Sequence, residues 1–141
     1  MHSIYRGWIP LAVLLSCLMP AGSCSNGARQ IAERAVADFH DHYSAKQFST
    51  LFNGAHRDFK RSGTCGNFNS LMHSVYANLG KVASTRNQYL KISGDEGERL
   101  LLQQKTTFEK GIGFETFLFT IEEGEAVLAG YKINSKQLNA L

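Results

Sequence analysis

LLLQQKTTFEKGIGFETFLFTIEEGEAVLAGYKINS, residues 100–135, holds three apolar-rich segments in direct succession, separated only by short glycine-bearing turns. From Arg99 to Glu109, Leu100, Leu102, Gln104, Thr106 and Phe108 fall on one side and Leu101, Gln103, Lys105, Thr107 and Glu109 on the other. A period of two with one wetter face is the pattern of a half-covered strand. Phe114 to Glu122 alternates Phe114, Thr116, Leu118 and Thr120 against Glu115, Phe117, Phe119 and Ile121, rich in the aromatic and β-branched residues that strands favour. Ala126 to Ser135 alternates in the same way, with Gly130 inviting a bulge. The turns Lys110–Gly113 and Glu122–Glu125 carry glycines able to reverse the chain. An earlier run, Arg86 to Ile92, precedes the glycine-marked loop 93–98 and supplies a fourth strand. The expectation is an antiparallel meander whose cover comes from upstream.

Upstream, three helices are expected. Ser25 and Asn26 can cap one with apolar positions Ile31, Ala32, Ala35, Val36, Phe39 and Tyr43. A second runs from about Ala45 to Phe59, turning Phe48, Leu51, Phe52, Ala55 and Phe59 inward. A third carries the stripe Phe68, Leu71, Met72, Val75, Tyr76 and Leu79, closed by Gly80. Helices first and strands afterwards, without alternation, give an α+β class: three N-terminal helices packed on one face of a curved antiparallel four-stranded sheet.

The first residues read as a secretory signal: Arg6, an apolar run from Trp8 to Met19, then small residues before Cys24. That run is too short to span a bilayer, which needs about 20 apolar residues. Residues 1–23 are therefore expected to be a signal peptide, 24–28 a linker and 29–141 one domain. Ala21-Gly22-Ser23-Cys24 resembles the lipobox of bacterial lipoproteins, with Ala21 where leucine is usual, which implies acylation of Cys24. Ser25 after the cysteine resembles lipoproteins sent to the outer membrane. An ordinary signal peptidase would also cut before Cys24 and leave a soluble periplasmic protein. In that case Cys24 could pair with Cys65; a lipidated Cys24 would leave Cys65 alone.

Removing residues 1–23 leaves 118 residues, 14 basic against 12 acidic. That balance, with no basic tract interleaved with aromatics, speaks against a nucleic-acid partner.

The glycine and aromatic pattern, Leu79-Gly80-Lys81, Phe108-Glu109-Lys110-Gly111 with Glu115, and Leu128-Ala129-Gly130-Tyr131-Lys132-Ile133, resembles that of a group of uncharacterised small bacterial exported lipoproteins. Their domain is similar to the nuclear transport factor 2-like fold, a cystatin-like cone in which a curved sheet wraps a helical layer. The resemblance implies a fold and almost no chemistry, since that fold serves enzymes, carriers and interaction domains.

His40 and His42, about 200° apart on a helix, cannot grip one metal together, and no pattern calls for a cofactor. Asp38 and His42 share a helix face as a surface pair. Enzymes of the cone fold, ketosteroid isomerase among them, line the pocket with a carboxylate base and hydrogen-bonding acids. The matching residues would be Glu109 and Glu115 with Tyr76, Tyr89 or Tyr131, but glutamates flanking a turn are expected to be wet and ordinary. The acidic tips Asp95, Glu96, Glu98 and Glu122, Glu123, Glu125 could form a docking face for a basic protein. Tyr76, Phe108, Phe117, Phe119 and Tyr131 could line a pocket for a small apolar ligand. The leading expectation is a non-enzymatic, exported, lipid-anchored binding protein acting on a periplasmic protein, a class that includes immunity proteins neutralising a toxin. A carrier or sensor of a small apolar ligand is the alternative, and an enzyme comes third.

Overall fold

The computed structural model describes residues 23–94 and 99–139. The signal segment and the acidic loop residues Asp95, Glu96 and Glu98 lie outside the described residues, as does the side chain of Cys24. Among the described residues four helices precede four strands: α1 (Ser23–Ser44), α2 (Phe48–Gly54), α3 (Arg57–Ser62), α4 (Cys65–Leu79), then β1 (Val82–Ser93), β2 (Arg99–Phe108), β3 (Gly111–Glu122) and β4 (Glu125–Asn134). The strands form one open antiparallel sheet in the order β1-β2-β3-β4, so the class is α+β. No described helix is long and apolar enough to cross a membrane.

Four helices stand where three were expected, because the second is broken. His56 takes an extended conformation (φ −59°, ψ 153°), and its N–H donates to the Leu128 carbonyl of β4 at 2.8 Å. Its imidazole Nδ1 accepts the Asp58 N–H, capping α3. A tertiary hydrogen bond and a local cap therefore outweigh helix continuity across Ala55. Lys46, at φ 58°, delays the start of α2 to Phe48. Residues 24–28, expected as a linker, continue α1, and β1 begins four residues earlier than its apolar run indicated.

The period-two reading of the sheet holds in register. Leu100, Leu102, Gln104, Thr106 and Phe108 of β2 are buried, as are Glu115, Phe117 and Phe119 of β3. A bulge at Ala129, beside Gly130, shifts the β3–β4 register between Leu118 and Phe119. The helix-facing side meets Ala32, Val36, Phe39 and Tyr43 of α1 and Phe68, Met72, Val75 and Leu79 of α4 in one core. Of the six residues of the expected α4 stripe, Leu71 is exposed and Tyr76 half-buried.

The exit of α4 is tied to the β2–β3 turn. Gly80 adopts φ 76°, its carbonyl accepts the buried Tyr43 hydroxyl at 2.8 Å, and the Glu109 carboxylate accepts the Lys81 N–H at 2.9 Å. A Cβ at residue 80 would stand 2.6 Å from a Glu109 carboxylate oxygen and 3.1 Å from its Cβ. Positive φ and close approach both select glycine there.

Candidate functional site

Alternation puts Glu115 on the same side as Phe117 and Phe119, and helical spacing puts His40 one turn from Val36 and beside Phe39. Both are therefore carried into the core, at 2% and 7% exposure, together with Gln104 and Thr106. There the Glu115 carboxylate collects four donors. His40 Nε2 donates to Oε2 at 2.8 Å, Gln104 Nε2 at 3.2 Å, and the Thr106 hydroxyl donates to the same oxygen. The Tyr131 hydroxyl donates to Oε1 at 2.7 Å. A carboxylate offers about four acceptor sites, so this one is satisfied by protein alone.

Burial pushes the Glu115 carboxyl up. The hydrogen bond and charge of His40 and the Thr106 and Tyr131 hydroxyls outweigh it, and the group titrates below its ordinary range. Burial, then the neighbouring Glu115 charge, drives the Tyr131 phenol well above its own. The pair is a carboxylate and a neutral phenol at neutral pH. The expectation that Glu115 is wet is overturned by its place on the apolar face of the sheet rather than in the turn.

Of the other residues considered for chemistry, Glu109 is exposed and bonded to the Lys81 N–H. Tyr89 is 48% exposed on the outer side of the sheet, and Tyr76 is half-buried with the Lys46 ammonium 4.5 Å over its ring. Only Glu115 and Tyr131 of that set are brought together. Among the described residues no three His, Cys, Asp or Glu side chains converge as a metal would require.

The aromatics considered for a ligand pocket are packed against protein. Phe117 lies 5.1 Å from Phe39, 5.2 Å from Tyr131 and 5.8 Å from Phe119 between ring centroids, and Phe108 stands 5.9 Å from Tyr43. Phe119 alone of the five reaches a described depression, a cleft of about 240 Å³ between α1, α2 and β4 floored by Phe39, Phe119 and Leu128. Arg34, Asp38, His42 and Glu125 rim it. Glu122, Glu123 and Glu125 are exposed at the β3–β4 tip, where Glu122 reaches His56 Nε2 at 3.1 Å.

The outer side of the sheet carries a larger groove of about 640 Å³, bounded by β2, the start of β3 and the turn after β4. Its apolar floor is Ile112 and Phe114, 41% and 50% exposed, and Lys105 and Lys136 stand on its walls. The alternation separated Lys105 from the leucine side of β2 and Phe114 from the Glu115 side of β3, and register sets the two side by side.

Compared with protein-family models and with curated proteins, the chain matches none.

Proposed function

We propose that this chain is an exported, lipid-anchored, non-enzymatic binding protein. Its cone-like α+β domain holds a protein partner in the periplasm, from an acylated Cys24 in the outer membrane. Immunity proteins that neutralise a toxin belong to this class. The observation that carries the reading is the saturation of Glu115. The carboxylate and phenol brought together face each other, with four protein donors already in place on the buried carboxylate. Such a group organises a core, and the chemistry left to the domain is that of its surfaces.

Crosslinking in intact cells, capture from membranes and intact-mass analysis test this. A diacyl or triacyl mass on Cys24, with a single crosslinked protein that then binds the purified chain saturably, is the expected result. A soluble chain with unmodified Cys24 and no saturable protein partner refutes it.

One observation favours a second reading, a carrier of a small apolar ligand. The cleft beside α1 has an apolar floor and charged groups at its rim, the usual composition of a ligand site. Enhanced melting temperature with a fatty acid or sterol, lost in Phe119→Ala, would select it.

A further inference from the structure

Cross-strand register gathers an uncompensated cationic patch on the outer side of the sheet. Arg86 of β1 lies directly opposite Lys105 of β2, and Lys105 lies opposite Phe114 of β3, which in turn faces Asn134 of β4. Two residues further along, Gln103, Thr116 and Lys132 form the next outward row. Like charges directly opposite on neighbouring strands destabilise a sheet unless something neutralises them. Among the described residues no carboxylate comes within 4.0 Å of Arg86, Lys105, Lys132 or Lys136. The carboxylates of β3 and β4 sit elsewhere: Glu115 is in the core, and Glu122 and Glu125 are at the opposite end of the strands. Lys105 and Lys136 line the groove whose floor is Ile112 and the half-exposed ring of Phe114, and Arg86 stands one strand beyond Lys105.

We infer that this groove is the docking site of an acidic protein segment, one that seats an apolar side chain on Phe114 and Ile112 and sets carboxylates against Lys105, Lys136 and Arg86. The inference rests on the binding role proposed above and names the partner's chemistry. Charge complementarity assigns the occupant: an apolar anchor seated beside Lys105 and Lys136, with no described carboxylate paired to either, calls for a partner that brings negative charge. A second copy in two-fold contact would set this cationic face on itself. Single-stranded nucleic acid stacks on successive exposed rings, whereas Tyr89 and Phe114 stand on strands separated by β2.

The test measures fluorescence anisotropy on the chain as purified from its host. The probe is a labelled peptide with a Phe-Leu centre flanked on both sides by glutamates. Its lysine-flanked and Gly-Gly-centred counterparts serve as controls. Mixed phosphatidylglycerol and phosphatidylethanolamine vesicles and a labelled single-stranded oligonucleotide are run beside it. The acidic apolar peptide is expected to bind saturably, weaken with salt, and weaken about tenfold with Lys105→Glu or Phe114→Ser. The pair Lys105→Ala with Lys136→Ala gives the same loss should the reversal perturb folding, which circular dichroism checks. Equal binding of the lysine-flanked peptide, indifference to these substitutions, tighter binding of vesicles or oligonucleotide, or self-association through this face overturns the inference. If Lys105→Glu still captures the crosslinked protein undiminished, the groove assignment falls and the binding role stands. If neither chain captures any partner, the binding role itself falls.

Discussion

Truncating Glu115 to alanine tests whether the buried carboxylate organises the core or is held there against stability. Four donors lose their acceptor, but Gln104 Nε2 also donates to Thr106 Oγ1 at 3.2 Å, so that pair keeps one bond. His40 Nε2, the Tyr131 hydroxyl and the Thr106 hydroxyl proton lose that acceptor, His40 and Thr106 in the buried core and Tyr131 part-buried at its side. A stranded buried donor costs about 1–3 kcal/mol, and such costs do not simply add. The stranded donors together with the cavity left by the truncated side chain set the loss expected for Glu115→Ala at about 3–5 kcal/mol. Glu115→Gln keeps the shape and places an amide oxygen where Oε2 stood, so the His40, Thr106 and Gln104 bonds survive as uncharged ones, while the amide NH2 meets the Tyr131 hydroxyl, which must turn to accept. The lost negative charge and the reversed Tyr131 bond set its cost at about 1.5–3 kcal/mol. Urea unfolding followed by far-UV circular dichroism reads both, with an unchanged slope confirming that the two-state comparison is fair. The alanine variant should also melt about 10–20 °C lower, at about 4 °C per kcal/mol for a domain of this size. Replacing the group together, with His40→Leu, Gln104→Leu, Thr106→Val, Glu115→Met and Tyr131→Phe, should recover most of the loss, because an apolar core has no donor to strand. An alanine variant within about 1 kcal/mol of the parent, or more stable than it, would refute the reasoning and mark Glu115 as a group kept at a cost in stability, as catalytic groups are.

The same carboxylate sets an acid limit. Its folded pKa lies below the ordinary value of 4.5, so its contribution to stability is whole above that value and vanishes as pH falls below it through the lowered folded value. Stability measured between pH 6 and about pH 2 should therefore decline more steeply in the parent than in Glu115→Gln. Tyr43→Phe strands the Gly80 carbonyl and should cost about 1–2 kcal/mol in urea unfolding; a loss under a few tenths would mean that water replaces the hydroxyl. Gly80→Ala combines a strained positive φ with a Cβ 3.1 Å from the Glu109 Cβ. It should lower stability by about 1–2 kcal/mol or more, whereas a neutral result would show that the β2–β3 turn yields easily.

Local periodicity settled the strands because β2 and β3 each lie half-covered, and a one-residue slip would turn every apolar side chain outward. The α1 and α4 stripes were legible for the same reason, each presenting one apolar face to the sheet. The polar cluster was half legible: the alternation already placed Gln104, Thr106 and Glu115 among leucines and phenylalanines. What it could not say was that His40, 75 residues before Glu115, would arrive opposite it. Meeting across that separation depends on how α1 lies on the sheet, which no local pattern encodes. The break at His56 is likewise a tertiary event, since its partner is the carbonyl of Leu128.

By itself, then, the sequence determined the α+β order, the four strands with the two-residue alternation of β2 and β3, and the positions of most helical stripes, because these follow from alternation and helical spacing in contiguous residues. Only the tertiary structure decided that Glu115 is a saturated core group and that Lys105, Arg86 and Phe114 share one patch, because pairing register and helix placement join residues that the chain keeps far apart.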